Sequence, residues 1–208
     1  METIIRAEAL GITAPAPRMI YEAAASGSMS VVEFLFERVC REGEPPDIDF
    51  PPALLFALEN EHFDIFRFFI DHGANVDSIS PSGRTSLHAA AHFRYLAEAD
   101  LLLEHGADLE PVDLQDHTPL HYACRNGSVD VAELLLDRGS NIEARDIDGF
   151  APLHLAAREG RLGAIEMLIR WGADINALDD EGWTPLLVAV ESGQLEASSL
   201  LVHKGAAQ

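Results

Sequence analysis

Arg145-Asp146-Ile147-Asp148-Gly149-Phe150-Ala151-Pro152-Leu153-His154-Leu155-Ala156-Ala157, closed further on by Leu168-Ile169-Arg170-Trp171-Gly172-Ala173-Asp174-Ile175-Asn176-Ala177, is the stretch on which the fold turns. Its landmarks recur on both sides at one fixed step. A glycine returns every 33 residues at Gly73, Gly106, Gly139, Gly172 and Gly205. An alanine keeps the same step at Ala57, Ala90, Ala123, Ala156 and Ala189, and a leucine at Leu54, Leu87, Leu120, Leu153 and Leu186. Three independent columns at one period define a linear repeat protein.

Each unit reads as helix, turn, helix and extended loop. Thr118 suits a helix N-cap, and Pro119 suits the first helical position, where its missing N–H costs nothing. The helix runs about two turns, with small residues such as Ala123 where a neighbouring helix must come close. Gly127, Gly160 and Gly193 fit a left-handed C-cap. A second helix, Val129 to Arg138, places Val131, Leu134 and Leu135 at helical spacing. Asn141-Ile142-Glu143-Ala144-Arg145-Asp146 then returns the chain to the next unit.

This pattern resembles the ankyrin-repeat family. Clear units start at Ser80, Asp113, Asp146 and Asp179, a weaker one near Asp47, and an upstream one spans Met19 to Arg38 with a one-residue offset. The resemblance implies an all-α solenoid of about six stacked repeats over residues 17–208, behind an extension at 1–16. The repeats fall at about 17–46, 47–79, 80–112, 113–145, 146–178 and 179–208. It further implies that His88, His121 and His154 tie neighbouring loops together by hydrogen bonds. Function is less specified, because such arrays serve as binding surfaces for many unrelated partners.

Departures from the pattern carry their own expectations. Leu55 and Leu187 replace the outer histidines, Glu61 replaces a mid-unit glycine, and Ala197, Ser198 and Ser199 make the last helix smaller and more polar; these read as end caps. Arg94 also stands where a mid-unit glycine belongs. A side chain in a left-handed turn costs roughly 1 kcal/mol, so an altered turn is expected there, the alternative being that the cost is tolerated for function.

Composition narrows the function classes. Fourteen basic against 35 acidic residues give the 208-residue chain a net charge of −21, which argues against nucleic acid and anionic membranes as partners. The longest apolar runs, such as Pro51 to Leu58, fall short of a membrane span, and Glu2 and Glu8 do not suit a secretory signal. Cys40 and Cys124 have no zinc or disulfide spacing, so a reducing compartment, cytosol or nucleus, is expected.

Catalytic and metal chemistry find little footing. His88 and His92 sit four apart on one helix, as do His117 and His121 across a helix start, but no third ligand is suitably spaced. Cys124 shares a column with Leu58, Ala91, Ala157 and Val190 and reads as a core thiol. No phosphate loop or nucleophile elbow is present. No enzyme activity and no cofactor are expected.

The resemblance places partner contacts at the loop tips and on the exposed side of each first helix, which line a concave groove. At those positions stand Arg84, His92 and Phe93, then Gln115, His117, Arg125, Asn126 and Arg145. Asp148, Phe150, Arg158 and Glu159 follow, and the last unit offers Trp183 with Asp180, Glu181, Glu191 and Ser192. The surface is locally basic at its centre and acidic at both ends. The expected function is that of a monomeric, non-catalytic adaptor, scaffold or inhibitor. Its partner is another protein or a peptide, with acidic groups facing the centre and an apolar or basic residue near Trp183. Binding or turnover of a small anionic molecule at the Arg/His cluster is the alternative.

Overall fold

The computed structural model describes residues 16–41 and 51–207. Among these residues the regular elements are twelve helices, and there is no strand. The chain divides into two compact units, Met1–Ser80 and Pro81–Gln208.

In the first unit, α1 (Ala16–Ala25) packs on α2 (Met29–Arg41) and on α3 (Pro51–Glu59), and α4 (Phe63–Asp71) packs on α3 and α2. Ile20, Leu35, Leu54, Leu58, Phe66 and Phe69 are wholly buried there. The residues expected to form the 1–16 extension, apart from Ala16, lie outside the described residues, as do Asp47 and the Cys40 side chain.

The second unit contains four helix pairs: α5 (Ser86–Phe93) with α6 (Leu96–Glu104), α7 (Pro119–Asn126) with α8 (Val129–Asp137), α9 (Pro152–Arg158) with α10 (Leu162–Arg170), and α11 (Pro185–Glu191) with α12 (Leu195–His203). First helices stack in one row, α5 on α7 on α9 on α11, and second helices in another. This is an all-α repeat solenoid. The close first row is possible because the buried positions hold alanine, at Ala90, Ala123, Ala156 and Ala189. Cys124 sits fully buried in the same layer, where loss of solvation raises its thiol pKa.

A buried imidazole links each loop to the next. His88 Nδ1 accepts the Thr85 N–H at 3.1 Å, and its Nε2 donates to the His117 carbonyl at 2.9 Å. His121 repeats this between Thr118 and Phe150, and His154 between Ala151 and Trp183. An acceptor at Nδ1 and a donor at Nε2 define the neutral ring, and burial lowers all three pKa values, His88 to about 4. Both nitrogens of His88 are thereby engaged, which removes it from metal ligation.

Three successive loops are tight hairpin tips, each organised by its leading aspartate. Asp146 Oδ1 accepts the Asp148 and Phe150 N–H groups, and Asp113 and Asp179 repeat the arrangement. Successive tips also bond backbone to backbone, Leu114 N–H to Ser82 O at 3.1 Å and Ile147 N–H to Gln115 O at 3.0 Å. Gly149 has φ +78°, and a Cβ there would lie 2.7 Å from the Asp180 nitrogen, so this tip excludes any side chain.

The turn at Arg94 is not altered. Arg94 itself adopts the left-handed C-cap conformation, φ +66° and ψ +34°. The reason lies one repeat away. Elsewhere in this unit the residue before the second helix reaches back to the preceding repeat: Arg161 Nε donates to Arg125 O at 3.0 Å and Gln194 Nε2 to Arg158 O at 3.1 Å. In the repeat that follows Arg94 the corresponding residue is Ser128, too short for that span, and its hydroxyl is buried without a partner. Arg94 makes the link from the other side, donating to Asn126 O at 2.5 Å.

The end-cap expectation holds only in part. Ser198 and Ser199 bond back to carbonyls of their own helix. Leu187, however, is 49% exposed beside exposed Val190 and Leu195, so the last face remains apolar.

Candidate functional site

The hairpin tips and first helices of the second unit bring most of the expected contact residues onto one face. At its centre is Tyr122 on α7, half-buried, whose hydroxyl donates to Asp113 Oδ2 at 2.8 Å. Arg84 lies 5.3 Å from the Tyr122 ring centre, and the rings of His88, His92 and His117 meet it edge-on at 5.4–5.9 Å. Burial and the bond to Asp113 push the Tyr122 hydroxyl up to about 12, so it is a permanent donor.

His117 is held between two carboxylates. Its Nδ1 lies 3.4 Å from Asp113 Oδ2 and its Nε2 3.3 Å from Asp146 Oδ2. The contact with Asp146 raises its pKa against the opposing effect of burial, and Asp113 adds to the rise. Burial alone would raise both carboxyls. The Tyr122 hydroxyl and two backbone N–H groups outweigh it at Asp113, and His117 with two more N–H groups outweighs it at Asp146. His117 thus joins two tips through their leading carboxylates. Its neighbour His92 goes the other way: burial first, then Arg84 and Arg125, lower its pKa, and its Nδ1 accepts from Asn126 Nδ2 at 3.0 Å.

The remaining cations are partnered to different degrees. Arg125 and Arg158 flank Glu159 at 3.7 and 3.6 Å, and Arg158 also lies 5.4 Å from the Phe150 ring centre. The Arg125 side chain keeps 44% of its surface exposed. Arg145, also exposed, instead bridges two loops, donating to Gly149 O at 2.7 Å and to Leu178 O of the next loop. Of the residues expected to make the centre locally basic, His117 and Arg145 bond to the loops themselves. Gln115 and Asp148 stay exposed on their tips, and Phe93 is exposed with its ring stacked on Tyr95.

Towards the C-terminal end of this face Phe150 and Trp183, the same position of consecutive tips, wall a cavity of about 200 Å³. Arg158, Val188, Asp179, Glu181, Glu191 and Ser192 complete its lining. The sequence reading missed Tyr122, Asp113, Asp146 and Val188. The column of Tyr122 otherwise holds Phe56, Ala89, Leu155 and Val188, so only its hydroxyl sets it apart. Asp113, Asp146 and Asp179 keep the 33-residue step, but which side chain crosses to them from the neighbouring loop is not written in the sequence.

Among the described residues no group of three or more His, Cys, Asp or Glu side chains could hold a metal ion, and no helix is long and apolar enough to cross a membrane. The family model for ankyrin repeats (3 copies) matches four overlapping segments, residues 20–113, 55–146, 109–179 and 146–208. No curated protein matches the sequence. The matched segments, the row of alanine-packed helices and the imidazole between each pair of loops all agree: the chain belongs to the ankyrin-repeat family.

Proposed function

We propose that this chain is a non-catalytic binding module that receives an extended segment of another protein along the tips and first helices of residues 81–208. It would act as a monomeric adaptor, scaffold or inhibitor in the cytosol or nucleus. One observation carries this reading: exposed Phe93, exposed Arg125 and half-buried Trp183 project from a backbone fixed by aspartate and imidazole bonds. A surface already ordered before contact loses little entropy on binding, and aromatic and arginine side chains are the usual anchors. An acidic residue of the partner suits Arg125, whose guanidinium is only loosely held by Glu159. The small-anion alternative has weaker support, because Arg125 and Arg158 already face Glu159, His117 faces two aspartates and Arg145 faces backbone carbonyls.

The test is selection from a displayed library of random peptides. Binders should be lost on Arg125→Gln and Trp183→Ala and retained on Arg170→Gln, which alters an ion pair with Glu133 on the second helices. Binders indifferent to the first two substitutions and sensitive to the third would refute the reading.

A further inference from the structure

We propose that the cavity walled by Phe150 and Trp183 takes a basic side chain, lysine or arginine, from the bound segment; this rests on the binding-face reading above. At about 200 Å³ the cavity is below the usual size of a small-molecule site and suits one side chain. Its walls are fixed. Trp183 N–H donates to Asp179 Oδ1 at 2.7 Å and its carbonyl accepts from His154 at 3.1 Å; Phe150 is held likewise by Asp146 and His121, with its ring stacked on His154. Val188 and the two aromatic rings offer apolar surface for an alkyl stem, and the Trp183 indole offers a face for a cation.

Charge selects the guest. Three carboxylates, Asp179, Glu181 and Glu191, line the cavity with a single cation, Arg158. That guanidinium is already engaged by the Phe150 ring and Glu159. The carboxylates of Glu181 and Glu191 make no ion pair or hydrogen bond among the described residues, and neither does the indole of Trp183. An acidic guest would meet like charge, and a neutral apolar guest would strip water from carboxylates without replacing it. A lysine or arginine satisfies the rim and the walls together.

Trp171 and Trp183 are the two tryptophans of the chain, so Trp171→Phe isolates the emission of Trp183. In that background n-butylguanidinium should shift Trp183 emission saturably, whereas butyramide, of similar size and neutral, should not. Glu181→Gln/Glu191→Gln should weaken the guanidinium response at least about three-fold, as should about 0.3 M salt, while circular dichroism stays unchanged. Equal responses to both probes, no saturable response, or insensitivity to the double substitution would overturn the proposal. Peptides selected on the binding face should carry one Lys or Arg whose loss matches the effect of the double substitution. Peptides that depend on Arg125 but need no basic residue would overturn this inference and leave the binding-face reading intact. Saturable n-butylguanidinium binding with no face-dependent peptide would support the pocket chemistry and remove that reading instead.

Discussion

Acid should loosen this protein well before its carboxylates titrate, and His88 sets the scale. Its imidazole is wholly buried, accepts one backbone N–H and donates to the next loop. Protonation would destroy the acceptor and place a cation in the core. The fold therefore holds its pKa at about 4 against 6.5 for an ordinary histidine. Because the folded value is the lower one, the stability at issue is fully present above pH 6.5 and is lost as pH falls towards 4. The gap corresponds to about 3 kcal/mol in all, of which about 2 kcal/mol is gone by pH 5. His121 and His154 shift in the same direction for the same reason and enlarge the loss. Asp113 and Asp146, whose folded values are lowered, lose their contribution only below the ordinary carboxylate range. His117 has the opposite sign: its contribution is present below pH 6.5 and fades as pH rises through its raised folded value. Urea unfolding followed by circular dichroism at pH 7 and pH 5 measures the sum, and His88→Gln isolates one ring. The wild type should lose several kcal/mol between these values, and the variant about 2 kcal/mol less. Equal losses in the two proteins, or a wild type as stable at pH 5 as at pH 7, would refute the reasoning.

Three further outcomes test the structural account. Arg94→Gly combined with Ser128→Arg should raise stability by about 1 kcal/mol, because the left-handed strain disappears while the link between repeats is remade from the side used elsewhere; a fall in the urea midpoint would contradict this. Arg145→Met should cost about 1–2 kcal/mol by leaving the Gly149 and Leu178 carbonyls without their donor, with hydrogen exchange accelerated first in these two loops. Cys124 should react with alkylating reagents only as fast as the second unit opens, since its thiol is buried and its pKa raised, and rapid labelling at neutral pH would disprove the core assignment.

The sequence by itself determined the repeat, because columns of glycine, alanine, leucine and histidine at one step reflect constraints repeated in every unit. A helix start at Thr118-Pro119, a left-handed cap at Gly127 and an imidazole between loops depend on residues a few positions apart or on one partner at a fixed offset. It also placed Phe150 and Trp183 at equivalent positions, and so marked one end of the binding face as aromatic. What the tertiary structure alone decided was which charges remain available to a partner. Arg125 and Arg145 look alike in the chain and both reach the surface, yet one lies loosely beside Glu159 and the other spans two carbonyls. Arg94 is intelligible only with Ser128, whose shortness matters because a carbonyl of the preceding repeat lies beyond its reach. His117 becomes a link between loops only because Asp113 and Asp146 meet it from two successive loops. The division has one physical cause. Backbone conformation is set by neighbours along the chain, whereas the charge state and availability of a side chain are set by groups that stacking brings beside it from the adjoining repeats.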